Sequence, residues 1–330
     1  MNSSIKIPIK VEPAYNRTTN IVEWMIGNTC NYDCSFCPSV YKSGSQRFLD
    51  IEVYKKTVDK IIEGSGEKKI WFKITGGEPT LFPKLVDLLS YIKSTGNYTY
   101  VISNGSRTNR YWTELRDSNV VDIIAFTYHP EQTNSVDRMI DTINVFSDAK
   151  TLTLVNITCA PKYFNDAVEA YNLFKVRCRT IVNLMNINDS AGIAKYTGEQ
   201  QAMFAKYVFT RSDDFDRKVQ PDVPNEHKYH NGILRYTYDD GSTKTDHASN
   251  FMKRYEDNFF GYNCYAGINC LRINYETMQR AVCGVGERWS IYDDKLFMSE
   301  PVKCTQTTCQ CTMDIIQPKY KDDTLPTSRE

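Results

Sequence analysis

Residues 21–37 read Ile21-Val22-Glu23-Trp24-Met25-Ile26-Gly27-Asn28-Thr29-Cys30-Asn31-Tyr32-Asp33-Cys34-Ser35-Phe36-Cys37. The first seven are strand-like, rich in β-branched and aromatic side chains and ended by a glycine. A loop with three cysteines in eight residues follows at once. In a chain of 330 residues with 11 cysteines, random placement yields such a Cys-x3-Cys-x2-Cys spacing about 0.01 times.

The strand at 21–27 is the first of six. Others are read at 69–75, 98–103, 121–128, 151–158 and 180–187, all of the apolar composition that buried parallel strands require. Helical stretches alternate with them at 50–63, 84–95, 107–118, 134–149, 165–176 and 199–212. In the first of these, Ile51, Tyr54, Val58, Ile61 and Ile62 recur at helical spacing before Gly64 and Gly66 stop it. Strand then helix, repeated six times, is an α/β pattern: a parallel sheet with right-handed crossovers. Six units are too few to close an eight-fold barrel, so the expectation is a partial (β/α)6 TIM-type barrel. The cysteine loop then lies at the C-terminal rim, where such folds keep their active sites.

The pattern changes beyond residue 213. Expected there are a linker at 216–231, a hairpin at 233–245 around Asp239-Asp240-Gly241-Ser242, and a small cysteine-rich α+β domain over 232–318. Residues 1–19 read as an N-terminal extension, 20–215 as the barrel, and 319–330 as a frayed polar tail. There is no internal repeat.

Composition narrows the function classes. Hydrophobic residues are 41%, and 40 basic residues balance 40 acidic ones. Zero net charge counts against a general polyanion binder, so nucleic acid is a disfavoured partner, though a local basic patch stays open. No apolar run approaches the roughly 18–20 residues of a membrane span, and residues 1–10 hold no signal-peptide core, so the expected location is cytoplasmic. In a reducing compartment the 11 cysteines point to metal or catalytic roles rather than disulfides.

Three thiolates in one loop wrap one face of a metal centre. Structural zinc takes four ligands and favours paired Cys-x2-Cys knuckles. Three cysteines with no fourth nearby suit an iron–sulfur cluster with one open iron. Here the sequence resembles the radical S-adenosylmethionine (SAM) enzymes, whose signature is Cys-x3-Cys-x2-Cys after the first strand with an aromatic residue before the last cysteine, as Phe36 stands here. The resemblance implies a [4Fe–4S] cluster on Cys30, Cys34 and Cys37 that binds SAM at its open iron. It also implies reductive cleavage of SAM to a 5′-deoxyadenosyl radical, fed by an external one-electron reductant such as flavodoxin or ferredoxin. Ile74-Thr75-Gly76-Gly77-Glu78-Pro79 ends the second strand. Its glycines permit close backbone approach, and Glu78 can accept from an ammonium group. The resemblance makes Gly76, Gly77 and Glu78 contacts of the SAM amino group and sets Ser103 and Asn104 near its ribose.

From 264 to 311 there are six cysteines. Residues 264–283 resemble the start of the SPASM and twitch domains, which hold auxiliary clusters in many radical SAM enzymes. Met278 stands where their pattern has a glycine, and the later spacings depart from SPASM, so the shorter twitch form with one auxiliary [4Fe–4S] cluster is expected. Cys264 and Cys283 lead as ligands, two of Cys304, Cys309 and Cys311 complete the set, and Cys270 is the spare. Four thiolates would hold zinc equally well.

Strand ends supply substrate-facing candidates. His129 ends the fourth strand as an acid, base or hydrogen-bond donor, or as a loop cap. Cys159 ends the fifth, as a hydrogen-atom donor or as a small buried residue. Asn183 and Asn186 on the sixth could line the same cavity, and Cys178 is incidental. The substrate is expected to be a peptide or a small polar molecule. The alternatives are a nucleic-acid base or nucleotide and, in another class, a non-enzymatic zinc or iron–sulfur protein.

Overall fold

The computed structural model describes residues 7–14, 19–132, 135–187, 195–207, 232–254, 256–281, 283–294, 297–309 and 312–321. Strand β1 (Pro8–Pro13) belongs to a second sheet, taken up below. The barrel begins with β2 (Thr19–Met25) and continues through β3 (Lys69–Thr75), β4 (Tyr98–Ser103), β5 (Ile123–Tyr128), β6 (Leu152–Cys159) and β7 (Ile181–Asn186). Each pairs in parallel with the next, in sequence order. Helices α1 (Ile51–Gly64), α2 (Leu85–Ser94), α3 (Asn109–Asp117), α4 (Val136–Asn144) and α5 (Phe164–Arg177) are the crossovers, and α6 (Gly198–Lys206) follows β7. The chain is therefore an α/β protein with a partial TIM-type barrel.

Local chemistry starts the helices where the side chains demand. The Asp50, Thr108 and Ser135 side chains accept from the backbone N–H groups of Glu52, Tyr111 and Arg138. Thr197 and Gln200 form a reciprocal capping box for α6. Strand alternation then divides the apolar residues between the two faces of the sheet. Val22, Trp24, Phe72, Ile74, Ile124 and Phe126 join the core beneath the helices. Ile21, Trp71, Tyr100, Ile123 and Ala125 face inward and join a second core.

The C-terminal segment closes this inner face. β8 (Ile233–Tyr238) and β9 (Thr243–His247) form the expected hairpin, with Gly241 at φ +78° in its turn. After β10 (Asn263–Cys264), β11 (Cys270–Asn274) pairs in parallel with β2, and β12 (Thr277–Gln279) and β13 (Arg288–Ser290) extend the sheet outward. The cysteine-rich segment thus lends three strands to the barrel sheet itself. Its hairpin turns at Tyr275, which takes φ 58°, while Met278 is a fully buried strand residue. Trp24 Nε1–H donates to the Tyr275 carbonyl at 3.3 Å and joins the turn to the first barrel strand.

A six-stranded antiparallel sheet gathers the rest, including β14 (Val302–Lys303) and β15 (Lys319–Tyr320), in the order β14-β10-β15-β1-β8-β9. Residues 1–19 and 319–330, read as an extension and a frayed tail, contain β1 and β15, and these two strands pair with each other. Long-range pairing accounts for both differences. Val11 and Lys319 are buried between strands that lie far away in sequence. The expected linker at 216–231, the end of the helix read over 199–212, and Cys311 lie outside the described residues.

Candidate active site at the barrel rim

The cysteine loop leaves β2 and is tied at both ends by Asn28. This side chain is fully buried. Its Nδ2 donates to the Val40 carbonyl at 2.9 Å and to the Ser43 and Ser45 hydroxyls at 3.1 Å, and its Oδ1 accepts from the Gln46 N–H at 2.8 Å. One amide therefore staples the start of the loop to its return. Within the loop, Lys42 Nζ donates to the Cys34 carbonyl at 2.7 Å and pairs with Asp33 at 2.5 Å.

The second βα loop packs on this one at backbone distance. Gly77 N–H donates to the Gly27 carbonyl at 3.0 Å, and Glu78 N–H donates to the Thr29 carbonyl at 2.8 Å. A Cβ at Gly76 would meet the Gly27 oxygen at 2.4 Å, and one at Gly77 the Thr29 oxygen at 2.3 Å. Only glycine permits this contact. Glu78 is buried, and its carboxylate gathers the next loop. Oε1 accepts from Thr80 N–H (3.0 Å), Thr80 Oγ1 (2.6 Å) and Ser103 Oγ (2.8 Å), and Oε2 accepts from Asn104 N–H at 2.7 Å. Burial outweighs these donors and raises the Glu78 carboxyl above the usual range. Oε2 keeps room for one more donor. Asn104 Nδ2 then donates to Asn31 Oδ1 at 2.9 Å, and Asn31 Nδ2 to Ser106 Oγ at 2.9 Å, which returns the network to the cysteine loop.

The fourth loop holds the opposite side. Glu131 accepts from Ser35 N–H at 2.9 Å and Ser35 Oγ at 2.7 Å. His129 stacks on Phe36 (centroids 5.8 Å apart, planes at 19°) and meets Tyr32 edge-on at 5.9 Å. Its Nδ1 lies 3.5 Å from Cys34 Sγ and 3.2 Å from Thr158 Oγ1, and Gln132 Nε2 lies 3.6 Å from the same sulfur. Burial pushes the His129 pKa down to about 4, so the ring is neutral at pH 7. The structure places it against the cysteine loop, with Nδ1 turned to Cys34 and Thr158.

Cys159 lies elsewhere. It joins the helix-facing core with Phe164 and Ala167, fully buried, so it does not face the barrel lumen. The period of two decides this, since Cys159 shares the outward face of β6 with Val155 and Ile157. On β7, Asn183 Nδ2 reaches Asn156 Oδ1 at 3.3 Å, whereas Asn186 is exposed. Cys178 is the half-buried C-cap of α5. Sequence reading missed the charges inside the barrel. Glu23 pairs with Lys73 at 2.7 Å and with Arg272 of β11. Burial would raise the Glu23 carboxyl, but the two cations outweigh it and hold it low. The alternation of charged with apolar residues in β2 and β3 was the available signal.

Four C-terminal thiols lie within electrostatic reach of one another. Cys264 and Cys304 sit on or beside the paired strands β10 and β14. Cys283 N–H donates to Asp314 Oδ2 at 3.1 Å, and Cys309 N–H to the Asp257 carbonyl at 2.9 Å. Cys283 lies in the field of Cys264 and Cys304, and Cys309 in that of Cys264 and Cys283. Cys270 is buried in β11.

Residues of the barrel rim suit the cluster that the sequence implies. Burial first, then Glu131 and the neighbouring Cys30 and Cys37, pushes the Cys34 thiol up to about 12, and Cys30 and Cys37 are raised as well. Such thiols ionise when a bound metal supplies the opposing charge. Among the described residues no three His, Cys, Asp or Glu side chains converge tightly enough for a single metal ion. A four-iron cluster is a larger body and takes more widely spaced thiolates.

Comparisons with known proteins agree with the geometry. Residues 24–174 match the Radical SAM superfamily. The chain is 28% identical over 125 residues to a probable GTP 3′,8-cyclase of Pyrobaculum aerophilum, covering 37% of this chain and 39% of that protein. It is 31% identical over 145 residues to a probable GTP 3′,8-cyclase of Thermoplasma volcanium, covering 41% of this chain and 43% of that protein. The chain thus spans about two fifths of the length of these curated relatives. Streptococcus suis SuiB, solved bound to precursor peptide SuiA, shares the fold at TM-score 0.53 and 12% identity, over 84% of this chain and 63% of SuiB. With its three-cysteine loop, glycine cradle and partial barrel, this chain is an enzyme that carries a Radical SAM region over residues 24–174.

Proposed function

We propose that the chain binds a [4Fe–4S] cluster through Cys30, Cys34 and Cys37 and uses SAM to oxidise or rearrange a peptide or small polar substrate inside the barrel. When bound, cluster and SAM together supply a 5′-deoxyadenosyl radical that abstracts a substrate hydrogen. The observation that carries this reading is the network in which Glu78 N–H bonds the Thr29 carbonyl, its carboxylate accepts from Asn104 N–H, and Asn104 Nδ2 donates to Asn31, which ties three βα loops together around the thiols. Gly76 and Gly77 keep the cradle close, and Glu78 Oε2 can accept from an ammonium group. Beneath the rim, Lys73 and Arg272 both pair with the carboxylate of Glu23, which sets charged groups inside the barrel. A nucleotide is the second reading, favoured by the names of the relatives.

Cys264, Cys283, Cys304 and Cys309 are proposed as the ligands of one auxiliary cluster. The buried Lys319 supports this. Its ammonium donates to the carbonyls of Asp314 (2.6 Å), Ile315 (3.1 Å) and Gln317 (2.9 Å), and its charge reaches Cys304 and Cys309. A buried cation calls for negative charge nearby, and thiolates supply it. The fitting location is a reducing compartment, with flavodoxin or ferredoxin as electron donor. Anaerobic reconstitution should yield about eight irons per chain, falling to about four in Cys264→Ser or Cys309→Ser. Dithionite-driven cleavage of SAM should vanish in Cys34→Ser. Stoichiometric zinc without iron would overturn the whole reading.

A further inference from the structure

The geometry points to His129 and Gln132 as hydrogen-bond donors to the sulfur of Cys34 that raise the reduction potential of the SAM-binding cluster. This rests on the cluster assignment above and goes beyond it, because neither residue is a ligand. Thr158 Oγ1 donates its proton to the Tyr128 carbonyl at 3.1 Å and lies 3.2 Å from His129 Nδ1. Its hydroxyl therefore accepts from the ring, and Nδ1 carries the hydrogen. The same N–H reaches Cys34 Sγ at 3.5 Å, a normal distance for a sulfur acceptor. A thiolate ligand has no proton to give, so it can only accept. Gln132 Nε2 approaches that sulfur at 3.6 Å. Phe36 stacked on one side and Tyr32 edge-on at another hold the ring in place.

Reduction adds negative charge to a cluster and its sulfurs. A donor to sulfur stabilises the reduced form more than the oxidised one, so the potential rises. The carboxylate of Glu131, also near Cys34, acts in the opposite direction. His129 is thus a positioning and tuning residue whose effect passes through Cys34.

The test is an EPR-monitored redox titration of the cluster signal that changes on adding SAM, which separates it from any auxiliary cluster. His129→Phe keeps a ring on Phe36 and removes the donor. His129→Asn loses the ring and keeps an N–H on the same carbon as Nδ1. At a fixed reductant potential, the reduced-to-oxidised ratio should fall about tenfold in His129→Phe, which is about 59 mV for one electron. In His129→Asn it should stay within about twofold of the parent. Gln132→Leu should move it the same way by a smaller factor, and it carries the test if His129→Phe assembles no cluster. A ratio in His129→Phe within twofold of the parent overturns the inference, because packing alone would explain the ring. A parent protein with no SAM-responsive signal overturns the cluster assignment and this inference together.

Discussion

Replacing Gly77 by alanine should separate the two loops that form the proposed SAM site. The added Cβ would lie 2.3 Å from the Thr29 carbonyl oxygen and 2.5 Å from the carbonyl carbon. Both atoms are backbone, so no side-chain rotation relieves the clash. To reach the 3.0 Å that real Cβ atoms keep, the loops must part by about 0.7 Å. That movement stretches the 3.0 Å bond from Gly77 N–H to the Gly27 carbonyl and the 2.8 Å bond from Glu78 N–H to the Thr29 carbonyl to the limit of hydrogen bonding or past it. Two such bonds are worth about 2 kcal/mol together, and overpacking adds about 1–3 kcal/mol. The cost is shared between fold stability and the geometry of the site. All three cluster cysteines lie on one loop, so iron content should be nearly unchanged. SAM, expected to touch both loops, should bind at least about tenfold more weakly by anaerobic calorimetry, about 1.4 kcal/mol of the total. The urea midpoint of the apoprotein should fall as well. Gly198→Ala is the control, because a Cβ there meets nothing within 4 Å. If Gly77→Ala binds SAM within twofold of the parent, the cradle is not part of the SAM site and the reasoning fails.

Other perturbations follow from the same contacts. Asn28→Ala leaves the Val40 carbonyl and Gln46 N–H without their partner at a buried position, which should cost about 2–4 kcal/mol and lower iron retention; normal iron and stability would refute the staple. Glu23 has a folded-state pKa below its ordinary value, so its contribution is complete above about pH 4.5 and is lost as pH falls through the lower folded value. Glu23→Gln should therefore flatten the acid limb of the stability–pH curve and cost about 3 kcal/mol at pH 7, as measured by urea unfolding; an unchanged acid limb would count against it. Cys159→Ala should leave SAM cleavage and product formation unchanged while costing about 1 kcal/mol, because the thiol sits under α5; loss of product with stability intact would return it to the chemistry.

Much of the barrel was legible because its signals are local. Caps at Asp50, Thr108 and Ser135, the period-two strands, and glycines at the ends of α1 and α2 all act over a few residues. The cysteine loop was equally legible, since three cysteines in eight residues need no tertiary contact to be recognised. Asn28 was not, because its partners at residues 40–46 are specified only once the loop returns on itself. Nor was the placement of His129 against Cys34, which lies 95 residues away. For Cys159 the strand was read correctly, but the face it presents depends on where the helices pack.

The amino-acid sequence alone determined the six βα units and the rim position of the three cysteines, because each rests on spacing and composition within a short window, and the three-cysteine loop carried the resemblance to the radical SAM enzymes. Only the tertiary structure decided that the two ends of the chain pair through β1 and β15, that Cys270–Asn274 completes the barrel edge beside β2, and that Arg272 meets Glu23 inside it. Those contacts join residues more than 200 positions apart. Their partners are selected by the burial of whole faces and the pairing of open strand edges, which no local pattern encodes.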